Sequence, residues 1–511
     1  MRTSSYAWLV HPFLISAYFV LALAGANATA LKGLRDLVWP LSTALLICTL
    51  AWVLALAFGR KPDKASLLSL LWMVAFSLFG YVAEALGVPG ILRVLGGEAG
   101  LVALFGVGLL GPSLAIRRTT RSLEPVNRYF TLVAALLVAY TAVQLSRGLH
   151  RERDLRILLP TPPTLVGPAT TAELPDIYLI ILDKYTGSEL LAEHFGFDNG
   201  GFEALLRHRG FVVPRHSRAN YPQTQLALAA MLNLDYVQKL PRQVHLYDLI
   251  ENNRLAAFLK LQGYRFVFFP SGFKVTSQNR NADLQVPVPN EVRGELGAVW
   301  QRTTMLPELV SLGCAVLQCR AGRLGYVPES AGFMDWKLER IGELAGGGQS
   351  TFVLAHLALP HEPYLYHADC RHREAYWPAG AGVLGDEKAT KGYLEQIGCV
   401  NLKLIRLVDS ILARSTRPPV ILLQADHGHG RQGRHLPEPD RLEPFGLRER
   451  MSVFAAYLLP GVAAQEVKDS ITPVNAMRLV LRHYFAADLP PLEDAGYWST
   501  EGRPFDFVRV R

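Results

Sequence analysis

The 511-residue chain predicts a multi-span α-helical membrane domain followed by an α/β domain, an α/β/α sandwich, on the far side of the membrane. Three observations predict it. Half of the residues are hydrophobic, but the long apolar stretches crowd into the first third of the chain. Lysine and arginine collect in alternate loops between those stretches. Beyond them, short apolar runs alternate with helical ones, the pattern of a mostly parallel sheet flanked by helices.

Five stretches, near residues 10–30, 38–58, 67–86, 100–116 and 129–145, each approach the roughly 20 residues that cross a bilayer. The first lacks a strongly basic start and four more follow it, so it reads as a retained helix. Arg60, Lys61 and Lys64 lie between the second and third stretches; Arg117, Arg118, Arg121 and Arg128 lie between the fourth and fifth. The opposite loops hold only Lys32, Arg35 and Arg93. Basic loops stay in the cytoplasm, which puts the N-terminus inside and, after an odd number of spans, everything past about Arg147 outside. Much of the net charge of +8 thus reflects topology, and no nucleic-acid partner is expected from it. The expected division is a membrane domain of five transmembrane helices over residues 1–147, a linker rich in proline, threonine and charge over 148–175, and a catalytic domain over 176–511.

In that last stretch, strands are expected at 177–182, 265–269, 351–355, 420–423 and 453–458, with helices near 202–209, 249–262, 388–414 and 474–484. Of the five cysteines, Cys48 lies in a span; Cys314, Cys319, Cys370 and Cys399 lie outside. An even number in an oxidising compartment permits two disulfides. Spacing does not fix the pairing; Cys370 with Cys399 and Cys314 with Cys319 is the expected arrangement.

The chemistry gathers at the ends of the apolar runs. DIYLIILDKYTG, residues 176–187, ends its strand on Asp183, and VILLQADHGHGRQGRH, residues 420–435, ends its own on Asp426 and His427. Parallel strands deliver both carboxylates to one sheet edge, where open α/β sheets place their ligands. A carboxylate beside an imidazole suits Zn, Mn or Mg. Asp183 alone reads equally well as a helix cap. In SRANYPQTQLALAAMLN, residues 217–233, Thr224 stands at the expected start of an alanine-rich helix. It is an N-cap or, beside a dication, a nucleophile. In FVLAHLALPHEPY, residues 352–364, a strand delivers His356, and a proline-stiffened loop carries His361. Either histidine is a structural residue or a group that bonds a phosphoryl oxygen or protonates a leaving group.

Taken in order, IILD, a hydroxyl opening an alanine-rich helix, PHxPY and DHG resemble the sulfatase-like branch of the alkaline phosphatase superfamily. Five spans before an outer domain resemble the lipoteichoic acid synthase and phosphoethanolamine transferase type of membrane enzyme within it. The resemblance implies an alkaline-phosphatase-like fold and one divalent metal ion (Mn, Mg or Zn) on Asp183, Thr224, Asp426 and His427. It implies Thr224 as nucleophile and His361 as the histidine holding the transferred group, with His356, His429 and His435 lining the substrate pocket. It implies a phosphotransferase of the bacterial cytoplasmic membrane with an extracytoplasmic (periplasmic) catalytic domain. Its partners would be a membrane lipid donor and a cell-envelope glycan or other hydroxyl acceptor. Two departures stand out. None of the five cysteines has the x-Pro-x-Arg context that formylglycine needs, and position 224 is threonine, which argues against sulfate esters. His429 stands where such proteins often carry glutamate, leaving a second metal open. The alternatives are a phosphodiesterase or phosphatase of the same superfamily and a non-catalytic envelope-assembly protein with the same fold.

Overall fold

A computed structural model describes residues 6–26, 31, 34–85, 98–157, 174–239, 246–271, 273–286, 294–317, 331–376, 387–430, 436–438, 441–500 and 502–510. The chain forms two compact units: Met1–Asp154 with Asn290–Val327, and Leu155–Pro289 with Pro328–Arg511.

The first unit holds five apolar helices, α1 (His11–Ala26), α2 (Val38–Gly59), α3 (Pro62–Ala85), α4 (Glu98–Arg118) and α5 (Glu124–Ile157). Four helical stretches, Leu34–Gly59, Pro62–Ala83, Gly100–Arg118 and Glu124–Gly148, are long and apolar enough to cross a membrane. Of the expected first span, α1 is described over 16 residues, His11–Ala26, about 24 Å at 1.5 Å per residue; residues 27–30 lie outside the described residues. At the other end α5 runs past residue 147, because SRGLHRERDLRI contains no proline and a single glycine to stop it. The largest departure is an insertion. Residues 290–327, expected in the catalytic domain, cluster with the apolar helices instead. Their helices Gly294–Thr303 and Leu306–Leu317 bury Leu296, Trp300 and Met305 in one apolar cluster with α2 and α3.

The second unit is built on a six-stranded sheet. Its strands are β1 (Ile177–Asp183), β2 (Arg265–Phe269), β3 (Leu284–Gln285), β4 (Thr351–Pro360), β7 (Val420–Ala425) and β8 (Ala455–Leu458). Two hairpins stand apart, β5 (Tyr364–Tyr366) with β6 (His372–Tyr376) and β9 (Gly496–Trp498) with β10 (Val508–Val510). The sheet order is β3-β2-β4-β1-β7-β8, parallel except for β8. Every residue of β1 and β7 is buried, as continuous apolar runs in a parallel sheet should be. Ile177, Leu179 and Ile181 pack in one cluster with helices Thr224–Asn233 and Pro473–Phe485, while the 28-residue helix Glu387–Arg414 packs against β4.

The register positions the chemistry. Leu182 of β1 aligns with Ala425 of β7, so Asp183 and Asp426 leave adjacent strands side by side. The Asp426 amide donates to the Leu182 carbonyl at 3.1 Å, closing the gap. Two details depart from expectation. The predicted helix over 249–262 breaks in two where the Asn253 side chain caps a new start, accepting from the Ala256 amide at 2.8 Å. And β4 runs on to Pro360, which places His356 inside the strand, opposite Ile181, instead of at its end. Cys370 and Cys399 are bonded. Cys319 lies outside the described residues, so the second expected disulfide is not addressed.

Candidate metal centre and active site

Asp183, Asp426 and His427 converge, with one donor atom from each lying within 4.8 Å of the others. All three are buried, Asp183 and Asp426 with no exposure at all. Neither oxygen of Asp183 has a hydrogen-bond partner, nor does Oδ2 of Asp426. Buried carboxylate oxygens left unpartnered are costly and rare. Burial, and then repulsion from Asp426, pushes the Asp183 carboxyl well above its usual range. Burial pushes Asp426 up to about 6. A cluster that is this unfavourable by itself becomes favourable around a cation, and the donor set, two carboxylates and an imidazole, fits a divalent metal ion.

The imidazole is presented for that purpose. His427 Nδ1 lies 3.0 Å from the Gly428 carbonyl, so the ring carries its proton there and turns the Nε2 lone pair inward. A second partner that fixes the tautomer is the usual companion of a metal-bound histidine. Nε2 lies 3.7 Å from Asp183 Oδ1 and 3.5 Å from Asp426 Oδ2. Asp426 Oδ1 is held by the amides of His427 at 2.7 Å and Lys184 at 3.3 Å.

Thr224 joins the group. Its Oγ1 lies 3.1 Å from His427 Nε2. The cap position of its helix belongs to Gln223, whose extended backbone (φ −120°, ψ 135°) is the N-cap conformation. Thr224 is the first helical residue, and its hydroxyl faces the metal cluster.

The four further histidines are placed differently. His356 is enclosed in β4, with Nδ1 2.7 Å from Thr276 Oγ1 and an unpartnered Nε2 3.7 Å from Asp183 Oδ2. Its side chain is fully buried, as those of Asp183 and Asp426 are. His361 follows Pro360; its amide donates to the Asp183 carbonyl at 3.1 Å, and its ring packs edge-on to Phe273. His361 Nδ1 is 2.5 Å from the Glu362 carbonyl. His429 points elsewhere: Nδ1 pairs with the buried Glu449 at 3.0 Å and the ring tilts against Tyr393. His429 is therefore absent from the only three-residue donor group among the described residues. His435 lies outside the described residues.

The structure adds groups that the sequence did not single out. Arg450 places Nη2 3.2 Å from His427 Nε2 and anchors Nε on the Pro222 carbonyl at 2.7 Å. Lys184 forms a buried ion pair with both oxygens of Glu362, at 2.9 and 3.0 Å. Glu362 lies in the quoted PHEPY motif and Lys184 next to Asp183, so both were within reach. Arg450 sits in an unremarkable exposed-looking helix sequence, PFGLRERM, and carries no motif.

Gly428 explains the spacing of the Asp-His-Gly triplet. A Cβ there would meet the Glu449 carbonyl oxygen at 2.2 Å and that of Ser452 at 2.5 Å. Backbone cannot yield as a side chain tip can, so Gly428→Ala should cost about 1–3 kcal/mol or more. The expected outcome in thermal melts is a clearly lowered transition together with weakened metal retention. An unchanged melt would show that the chain relaxes here at no cost.

No protein-family model and no curated protein matches the chain. Solved structures do. The C-terminal periplasmic domain of EcEptC from Escherichia coli, in complex with Zn, is 12% identical over 68% of this chain and 96% of that one, with a TM-score of 0.48. The integral membrane protein lipooligosaccharide phosphoethanolamine transferase A from Neisseria meningitidis is 13% identical over 94% of this chain and 96% of its own, with a TM-score of 0.43. A protein in the alkaline phosphatase superfamily from Vibrio parahaemolyticus is 13% identical over 68% and 80%, with a TM-score of 0.42.

Proposed function

We propose that the chain is a membrane-anchored, metal-dependent phosphotransferase that uses Thr224 as its nucleophile. One observation carries the reading: the Thr224 hydroxyl touches the inward-facing nitrogen of His427, within a cluster in which both Asp183 oxygens and Asp426 Oδ2 have no hydrogen-bond partner. A structural cap or a core histidine would need none of this.

Asp183, Asp426 and His427 would hold Mn, Mg or Zn, and the bound ion would lower the hydroxyl pKa and offset charge on the phosphoryl oxygens. Thr224 Oγ attacks phosphorus. The bond from phosphorus to the donor's alcohol breaks, and the hydroxyl proton ends on the departing alcohol. A phosphothreonine diester remains. An acceptor hydroxyl then attacks it, the bond to Thr224 breaks, and the acceptor's proton returns to Thr224. Arg450 stands where its guanidinium can bond phosphoryl oxygens in a fixed geometry.

His361 enters as a neutral ring: burial pushes it down to about 4, so it is uncharged near pH 7. Its Nδ1 proton is held by the Glu362 carbonyl, which leaves Nε2 as a lone pair able to accept a hydrogen bond from the acceptor's hydroxyl and orient it. The Lys184–Glu362 pair braces this loop.

The apolar helices support a lipid donor such as a glycerophospholipid, drawn from the membrane in which the enzyme is anchored, with a cell-envelope glycan as acceptor. The basic loops support an extracytoplasmic catalytic domain in a bacterial cytoplasmic membrane. Mass spectrometry of the purified protein tests the reading directly: incubation with a phospholipid donor, without acceptor, should add one head-group phosphate mass on Thr224. The added mass names the group. Head-group release with no adduct on any quenched sample would point to direct attack by water and to a hydrolase.

A further inference from the structure

Helices Gly294–Thr303 and Leu306–Leu317 are inserted between β3 and β4 in sequence, yet they fold with the apolar bundle. The bundle has two distinguishable ends. At one end lie the basic loops, where Lys64 Nζ donates to the Arg117 carbonyl at 2.7 Å. The inserted helices pack at the other end. Trp300 meets Trp39, at the start of α2, with ring centroids 5.9 Å apart, and Phe76 of α3 at 6.4 Å. Leu101, near the start of α4, shares the same cluster.

The insertion also reaches below the end of the bundle. The Met305 amide donates to the Phe76 carbonyl at 3.0 Å. Phe76 lies nine residues before the last residue of α3, Ala85, about 13 Å along the axis. Helix α3 has 24 residues, about 36 Å, only slightly more than the hydrocarbon thickness of about 30 Å. The turn at Met305 is therefore inside the apolar layer. A backbone turn at that depth must find partners for its polar groups, and the Thr304 and Met305 amides have them in the Gln301 and Phe76 carbonyls. Thr304 Oγ1 donates to the Gln301 carbonyl at 2.9 Å and accepts from the Leu306 amide at 3.4 Å. Thr304 is 1% exposed. The second helix is described over 12 residues, about 18 Å. Leu306 packs against the bundle, but Leu309 and Leu312, one turn apart on the helix, are 44% and 42% exposed.

We infer that residues 294–317 are a re-entrant helix–turn–helix wedge that dips into the extracytoplasmic leaflet and presents Leu309 and Leu312 to lipid acyl chains. The occupant of that face is lipid because Leu306, one turn before Leu309, packs on the apolar cluster of the bundle beside a turn held at acyl-chain depth by Phe76. The chain enters and leaves the wedge from the catalytic unit, immediately upstream of the helix Ala331–Glu343 and of β4. The inference rests on reading α1–α5 as a membrane bundle.

Photo-crosslinking of the full chain in phospholipid vesicles tests it. The photoreactive p-benzoylphenylalanine would stand in place of Leu309 or Leu312, and, as references, of Leu132 in α5 and of Leu205 and Leu402 in the second unit, which are 59%, 45% and 47% exposed. The expected result is lipid adducts at 309 and 312 in yields like that at 132, about tenfold above those at 205 and 402. An adduct at 132 with none at 309 and 312 overturns the wedge alone. Absence of adducts at all three removes the membrane bundle and the wedge together, and leaves the Thr224 adduct as a separate question.

Discussion

Thr224→Ala should abolish group transfer while leaving the melting transition close to that of the wild type. The stability side follows from geometry. Gln223, not Thr224, occupies the cap position, so no helix cap is lost. The side chain gives up its contact with His427, a single hydrogen bond of about 1 kcal/mol net. The catalytic side follows from the chemistry. Without the hydroxyl there is no atom to attack phosphorus, and losing a covalent route costs on the order of 10⁴-fold or more. Thr224→Ser keeps the oxygen but loses the methyl that restricts χ1, so it should retain part of the rate. Head-group release from a fluorescent phospholipid in liposomes, measured beside melting curves, separates the two roles. Substantial turnover by a well-folded Thr224→Ala protein would remove Thr224 from the mechanism.

The parts of the site that were legible in the sequence are those that strands deliver. Asp183 and Asp426 each end a run of buried aliphatics, and period and position alone placed them on one edge. Thr224 was legible as a hydroxyl at a helix start, though the single residue of helix boundary that gives the cap position to Gln223 was not. His356 was found but misplaced: β4 continues through HLALP with no break that composition could show, so a residue expected at the strand's end is enclosed within it. His429 was drawn to the site by its neighbours, yet Glu449, distant in sequence, takes its ring. Arg450 illustrates the general limit. Its place beside His427 depends on how the end of the helix before β8 meets Gly428, whose amide donates to the Arg450 carbonyl, which is tertiary information without a local signature. The insertion escaped for a related reason. Its second helix is apolar but too short to read as a span, and only its partners reveal where it lies.

The two aspartates should make the protein's stability respond to metal and to acidity in opposite ways, and Asp183→Asn should invert the usual effect of a damaging substitution. Without metal, two fully buried carboxylates face each other with three oxygens unpartnered. Removing one charge relieves that repulsion, so metal-free Asp183→Asn should melt above metal-free wild type near about pH 8, a gain of roughly 1–3 kcal/mol. With metal the order reverses. An ion at about 100 times its dissociation constant stabilises the wild type by about 2.7 kcal/mol, and the variant, short of one carboxylate, gains little. The acidity response of the metal-free protein follows from the raised carboxyls. A folded pKa above the unfolded one means that the native state holds more protons, so stability is full below the unfolded value and falls as pH rises through the folded one. For Asp426, pushed up to about 6, the fall runs from about pH 4 to just above 6. Asp183→Asn should flatten that fall, because burial and Asp426 raise the missing group too. Metal-loaded wild type should show the reverse slope, losing stability on acidification as protons compete for the ligands. Melting curves of the full chain in detergent, with chelator and then with Mn, Mg or Zn, would read all four conditions. A wild type that is more stable than Asp183→Asn without metal, and that none of the three ions shifts, would show that the paired carboxylates are satisfied without a cation and would dismantle the centre.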